Sequence, residues 1–276
     1  MIFKSINDLY CDIINKIILQ LPRDIGFVYG VPRSGMLPAT IISTILGVKC
    51  GLLGSQAQIG ARGENIILPN GTKALLVDDS MHKGGAMLKA KKIMDTYNIE
   101  YYSCAIYTYS AASNLVDFYA ELNDNKKIYQ WNFSGIKATK MFSWDLDGVI
   151  CTNPSAYDND GVAYQNEIIS GIKPLFLPQV KIHSIITNRI ERWRSETVEW
   201  LKRFGVQYEN LIMQPYSTAV ERRLNSDAAQ FKAEIFRNSD SILFVESSDN
   251  QAMKIFSIAK KPVLSIEKMI LYGGQE

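Results

Sequence analysis

Short apolar strands alternate with helical stretches along the whole chain, and that alternation constrains the fold more than any single residue does. Strand-like runs fall at Gly26–Gly30, Lys73–Val77, Tyr102–Tyr107, Ile128–Trp131, Met141–Trp144, Ile182–Ile186, Leu211–Met213, Ser241–Val245 and Val263–Ser265. The helical stretches among them are Leu37–Leu46, Gly85–Tyr97, Ser195–Phe204, Ala228–Asn238 and Asn250–Ala259. This order implies an α/β fold of parallel sheets with helical crossovers, whose ligands bind beyond the C-terminal strand ends. At 276 residues the chain has room for two such domains in tandem. The best boundary is Ser134–Lys140, a short segment between one strand end and the next strand, giving domains 1–137 and 138–276.

Composition narrows the function classes. A hydrophobic fraction of 47% supports real cores, and a net charge of +2 gives no electrostatic reason to expect nucleic-acid or membrane binding. Cys11, Cys50, Cys104 and Cys151 are scattered with no CxxC spacing, and the histidines are His82 and His183. That set disfavours zinc and fits a reducing cytoplasm better than a disulfide framework. Near the N-terminus, Ile6, Leu9, Tyr10, Ile13, Ile14, Ile17, Ile18 and Leu21 recur at helical spacing, with Asp8, Asp12 and Lys16 between them. The spacing predicts an amphipathic globular helix ended by Pro22 rather than a leader peptide or membrane-surface helix.

Two acidic motifs carry the chemistry, each following an apolar strand. The first is Asp78-Asp79-Ser80-Met81-His82-Lys83-Gly84-Gly85-Ala86. Its adjacent carboxylates suit two vicinal hydroxyls, and backbone N–H groups around Lys83–Ala86, at a helix start, suit a phosphate. Gly84 and Gly85 permit positive φ and close backbone approach. Upstream, Val31-Pro32-Arg33-Ser34-Gly35 is a second strand–loop–helix junction whose arginine suits a pyrophosphate.

Together these segments resemble a type I phosphoribosyltransferase of the xanthine/hypoxanthine branch over roughly residues 1 to 135. The resemblance implies that Asp78 and Asp79 bind the ribose hydroxyls of phosphoribosyl pyrophosphate (PRPP) and that Ser80, Lys83, Gly84, Gly85 and Ala86 surround its 5-phosphate. It implies that Arg33, Ser34 and Gly35 meet the pyrophosphate with Mg2+. Trp131 is the candidate for stacking on a purine-like base, against the plainer reading of a core tryptophan. The stretch Gln56–Pro69, with Gly60, Arg62, Gly63 and Glu64, suits a lid over the pyrophosphate. Lys83 and Ala86 stand where the family often has hydroxyl residues, so a phosphate hydrogen bond is lost at Ala86 and charge is gained at Lys83.

The second motif is Trp144-Asp145-Leu146-Asp147-Gly148. Two carboxylates two residues apart can divide the work of nucleophile and proton donor, and an attacking carboxylate needs phosphate charge neutralised, hence magnesium. No EF-hand ligand series follows, which argues against a calcium loop. Thr187, Lys232 and the Glu246–Asp249 segment follow in order. The ordered set resembles the haloacid dehalogenase superfamily over about residues 139 to 276. By that resemblance Asp145 is the nucleophile and Asp147 the general acid/base of a phosphatase; Thr187 and Lys232 hold phosphate, and Glu246 or Asp249 joins Asp145 and Asp147 at Mg2+. Asn153–Pro178 is long enough only for a small cap or flap, and Arg189 has the best claim among the nearby arginines to touch substrate.

The expectation is therefore two Rossmann-like domains in a bifunctional nucleotide-metabolism enzyme. One would transfer phosphoribosyl from PRPP to a base, and the other would hydrolyse a phosphomonoester, with the nucleotide product one candidate. The alternative makes the first domain a PRPP or nucleotide sensor that regulates the phosphatase. The partners expected are small-molecule substrates, with a homodimer left open.

Overall fold

The computed structural model describes residues 1–53, 71–155 and 160–274. The predicted lid at 56–69 and part of the predicted flap lie outside them. The chain forms two compact units, one of Lys4–Lys126 and one of Met1–Phe3 with Lys127–Glu276.

In chain order the first elements are β1 (Ile2–Lys4), α1 (Ile6–Asp12), β2 (Ile25–Gly30), α2 (Met36–Leu46), β3 (Lys49–Leu52), β4 (Lys73–Met81), α3 (Gly85–Thr96), β5 (Tyr101–Thr108) and β6 (Phe118–Leu122). Strands β2 to β6 form one all-parallel sheet in the order β3-β2-β4-β5-β6. Its central strands are near-continuous apolar runs, as sheets covered on both faces require. Leu75, Leu76 and Val77 of β4 and Cys104, Ala105 and Ile106 of β5 are fully buried. Numbered within the unit, the order is 2-1-3-4-5, and the direction of winding reverses between β2 and β4. The crevice beyond that pair of strand ends is where such sheets bind ligands.

The predicted N-terminal helix is real but differently built. Ser5 caps α1 in a reciprocal box, its Oγ accepting from the Asp8 amide at 3.1 Å while Asp8 Oδ2 accepts from the Ser5 amide at 2.8 Å. The chain then widens into a π-turn, Ile13–Ile17, so that Leu9, Ile13 and Ile17 are buried while Ile6 and Tyr10 are exposed. Asp12, expected on the polar face, is buried. It accepts from Tyr107 Oη at 3.0 Å and pairs with Lys4 at 3.3 Å and Lys16 at 2.5 Å. Two ammonium groups and a phenol offset the cost of burying that carboxylate.

The second unit contains β7 (Lys127–Tyr129), β8 (Phe142–Trp144), α4 (Val162–Asn166), β9 (Ile182–Ile190), α5 (Arg194–Arg203), β10 (Tyr208–Gln214), α6 (Ala219–Asn225), α7 (Ala228–Arg237), β11 (Leu243–Glu246), α8 (Asp249–Ala259), β12 (Val263–Ser265) and β13 (Ile270–Tyr272). Strands β8 to β13 make a six-stranded sheet in the order β10-β9-β8-β11-β12-β13, parallel except for β13. Counted within the unit this is 3-2-1-4-5-6, with the switch point between β8 and β11. A separate two-stranded sheet pairs β1 with β7. The segment Ser134–Lys140 lies inside this unit. Ile136 and Ala138 pack on its core, and the buried Thr139 hydroxyl donates to the Phe133 carbonyl at 2.7 Å.

Several strands exceed or escape their sequence signals. β4 runs four residues past Val77 and takes in the acidic pair, because the ladder with β5 continues through Asp78↔Ala105 to Met81↔Thr108. β9 runs on to Ile190 beside β10. β3, β6 and β13 are edge strands; β3 and β6 mix polar residues or glycine into their runs, and β13 is only three residues long. Ile128–Trp131 shortens to β7, and Trp131 falls in the turn that follows.

Candidate functional sites

In the first unit, Val31–Gly35 leaves β2 and the acidic pair lies near the end of β4, so both segments meet at the switch point. The Val31 amide donates to the Val77 carbonyl at 2.8 Å, and Ser34 Oγ donates to Asp79 Oδ1 at 2.9 Å. Gly35 makes this approach feasible, because a Cβ there would stand 2.6 Å from the Val31 carbonyl oxygen and 2.7 Å from that of Val77. Those neighbours are backbone and have no rotamer by which to yield.

Asp78 and Asp79 are both buried, and the Asp79 amide donates to Asp78 Oδ1 at 2.9 Å. Burial, reinforced by the adjacent Asp79 carboxylate, pushes the Asp78 carboxyl up to about 8. A ligand bringing positive charge or hydroxyl donors would relieve that crowding. Beyond the pair, Gly84 opens α3 at φ +73°, and space stands open beside Gly85. The α3 amide end is thereby accessible to an anion. His82 packs edge-on against Tyr109 with ring centroids 4.5 Å apart. Ser80 is half-buried at the end of β4, Lys83 is exposed, and Arg33 is exposed on the upstream loop. Trp131 belongs to the second unit and stacks on Tyr129, with centroids 4.9 Å apart and planes 26° from parallel.

The second unit holds a cavity of about 350 Å³ at its own switch point. Asp145 follows β8, Glu246 ends β11, and Lys232 reaches between them from α7. Its Nζ lies 2.9 Å from Asp145 Oδ2 and 2.8 Å from Glu246 Oε2. Ser247 Oγ donates to Asp145 Oδ2 at 3.2 Å and to Glu246 Oε1 at 3.1 Å. Asp145 Oδ1 accepts from the Leu146 amide at 2.9 Å, which fixes the carboxylate plane. Asp147 is clamped by Arg189, whose Nε reaches Oδ2 at 3.0 Å and whose Nη2 reaches Oδ1 at 2.6 Å. Arg189 also donates to Thr197 Oγ1 at 3.1 Å and is buried. The residue expected to touch substrate therefore first orients Asp147. Thr187 is buried too, its Oγ1 accepting the Arg189 amide at 3.2 Å.

Asp249 turns elsewhere. Its Oδ1 accepts from Tyr272 Oη at 2.7 Å, its Oδ2 lies 2.7 Å from Lys268 Nζ, and it is not among the residues lining the cavity. Glu246 is thus the acid placed against Asp145. Two carboxylates face one ammonium there. Burial, with the Glu246 charge next and against the pull of Lys232, pushes the Asp145 carboxyl up to about 8. Of these acids Asp145 and Asp147 line the cavity and would be the ones to hold a divalent cation; Glu246 is fully buried on Lys232 and Ser247 and does not line it. Among the described residues no three acidic, cysteine or histidine side chains converge as a ligand cluster. Magnesium does not require one, since it commonly takes one or two carboxylates, with water and phosphate oxygens filling the other positions.

Some cavity residues had no sequence signal. Asn153, Tyr164, Arg222 and Gln251 line it from segments that carry no recognisable motif. Gln251 Oε1 lies 3.4 Å from Lys232 Nζ, and Tyr164 packs against Trp193 with centroids 5.9 Å apart.

No protein-family model and no curated protein matches the chain. Solved structures do. A purine phosphoribosyltransferase from Pyrococcus horikoshii is 16% identical, with 48% of this chain and 93% of that one covered at a TM-score of 0.38. A xanthine-guanine-hypoxanthine phosphoribosyltransferase from Helicobacter pylori is 16% identical, covering 47% and 92% at 0.39. An orotate phosphoribosyltransferase from Aeropyrum pernix is 13% identical, covering 42% and 70% at 0.32. These neighbours span about half of the chain. Among the described residues no helix is long and apolar enough to cross a membrane.

Proposed function

We propose that the chain is a bifunctional enzyme. Its first unit transfers phosphoribosyl from PRPP to a purine-like base, and its second hydrolyses a phosphomonoester, the nucleotide product being one candidate. The observation that carries the reading is the placement of each acidic pair at the switch point of its own sheet, joined there by residues distant in sequence. Ser34 meets Asp79 across 45 residues, and Ser247 meets Asp145 across 102.

In the first unit, Asp78 and Asp79 accept from the ribose hydroxyls. The open backbone at Gly85 receives the 5-phosphate, and Arg33 with Ser34 faces the departing pyrophosphate. In the second, an Asp145 oxygen attacks phosphorus, forming an acyl phosphate as the bond to the leaving oxygen breaks. Asp147 gives that oxygen its proton. Asp147 then takes a proton from water, whose oxygen attacks the same phosphorus and returns Asp145 with free phosphate. Lys232 and Ser247 hold Asp145 in line, and Arg189 holds Asp147. Bound magnesium would supply the positive charge that lets the phosphoryl group approach a carboxylate.

A second reading keeps the first unit as a sensor of PRPP or a nucleotide. It is favoured by Lys83 and Ala86, which stand where hydroxyl donors to the phosphate are usual. One experiment separates the two. The protein is incubated with magnesium, PRPP and a panel of bases, and base, nucleotide and nucleoside are followed by chromatography for wild type and Asp145→Asn. Transfer predicts nucleotide accumulating in the variant. No nucleotide with any base, together with phosphatase activity altered by PRPP, selects the sensor.

A further inference from the structure

Three cations line the cavity of the second unit, and two of them are committed. Lys232 spans Asp145 and Glu246, and Arg189 clamps Asp147. The third, Arg222 on α6, is half-buried, and its described hydrogen bond is to a neutral group: Nη1 donates to the Asn188 carbonyl at 2.7 Å. It forms no ion pair with a carboxylate among the described residues.

The two arginines differ electrostatically. Burial pulls both guanidinium groups down, but at Arg189 the bidentate Asp147 carboxylate more than reverses this. At Arg222, burial followed by the neighbouring Arg223 prevails over Tyr164 and the more distant Asp160 and Asp147 charges. Arg222 is thus a cavity cation without a dedicated counter-charge. Leaving such a group partly desolvated is costly unless a ligand supplies the anion.

Its position says which part of a ligand it meets. The carbonyl it holds belongs to Asn188, the residue before Arg189, so Arg222 stands beside the clamp on Asp147. Asp147 serves the leaving oxygen, which places Arg222 on the leaving-group side. Of the other side chains that line the cavity, Asn153, Asn188, Ser247 and Gln251 are polar and uncharged, and the Tyr164 ring is buried against Trp193 rather than offered as a stacking platform. The surroundings suit a small anionic alcohol better than an aromatic base.

We propose that Arg222 binds a second anionic group on the alcohol part of the substrate. The second unit would then prefer phosphomonoesters that carry a carboxylate or another phosphate beside the one removed. The assignment rests on the phosphomonoesterase reading of this unit and names its substrate class.

The test compares kcat/KM in magnesium for 2-phosphoglycolate, fructose 1,6-bisphosphate, adenosine 5′-monophosphate and p-nitrophenyl phosphate, in wild type, Arg222→Gln and Arg222→Lys. The expected result is that Arg222→Gln lowers the ratio of a doubly anionic ester to p-nitrophenyl phosphate by roughly 30-fold or more, with partial recovery in Arg222→Lys. The carboxylate and bisphosphate arms show which anion fits. Ratios within one preparation are insensitive to the fraction folded. A ratio that Arg222→Gln leaves unchanged overturns the assignment, whether all four esters fall together or none does. Wild-type preference for adenosine 5′-monophosphate over both doubly anionic esters also overturns it. Wild-type protein that hydrolyses none of the four, p-nitrophenyl phosphate included, removes the phosphomonoesterase reading and this assignment with it.

Discussion

The two acidic pairs occupy equivalent places in their sheets but are treated oppositely by their surroundings. Asp78 and Asp79 sit side by side at the end of a strand, described contacts being a serine and a backbone amide. Asp145 and Asp147 are each tied to a buried cation, Lys232 at 2.9 Å and Arg189 at 2.6 Å. The first arrangement crowds two carboxyl groups, and burial raises that of Asp78. The second fixes the orientation of its carboxylates with buried cations, as the proposed nucleophile and proton donor would require. On the proposed reading, carboxylates that bind can be left crowded, whereas carboxylates that react need their geometry fixed in advance.

The sharpest way to break this contrast is Asp145→Asn. If the pre-oriented carboxylate is the nucleophile, phosphate release falls by about 10³-fold or more, read by a phosphate-release assay with p-nitrophenyl phosphate. Retained activity would mean that Asp145 is not the nucleophile. Next is Arg189→Met, which leaves the partly exposed Asp147 carboxylate without its cation. A loss of about 1–3 kcal/mol from the second unit is expected in urea denaturation, because charge-assisted hydrogen bonds to that carboxylate are lost.

Gly35→Ala tests the first site by sterics alone. The added methyl meets two carbonyl oxygens below 3 Å, and a loss of about 1–3 kcal/mol confined to the first unit is expected, measured by hydrogen exchange on β2 and β4. The last test, at Asp78, is read through pH. Its folded-state carboxyl is raised to about 8 from an ordinary 3.8, so the stability it lends is complete below about pH 4 and lost as pH rises through 8. Asp78→Asn stays neutral throughout. The variant should match wild type near pH 4 and exceed it by a margin that grows as pH rises toward 8.5, seen as a growing difference in Tm. A difference that does not vary with pH would mean the pair is not crowded.

The α/β class and most central elements were legible because buried parallel strands are almost uniformly apolar, as Leu75–Val77 and Phe244–Val245 are. The edge strands Lys49–Leu52 and Phe118–Leu122 were not, since exposed edges lose the pattern. Asp145, Lys232 and Glu246 could be picked out because each follows or faces an apolar strand. What they touch could not: the Arg189–Asp147 clamp spans 42 residues, and a buried arginine has the same sequence signature as a surface one. Asp12 failed for a related reason. Helical spacing assigned it to water, whereas the Lys4, Lys16 and Tyr107 contacts that carry it inside come from the fold.

The chain's first three residues belong to the second unit, which resumes at Lys127. The first unit is in this sense an insertion with both ends anchored in its neighbour's chain, rather than a bead ahead of it on a string. Cutting the polypeptide once, at Lys126, would not yield two intact pieces. The downstream piece would lack β1, the partner of β7, together with the Met1 and Phe3 side chains that pack on its core. A faithful dissection needs two cuts, or a short linker joining residue 3 directly to residue 127.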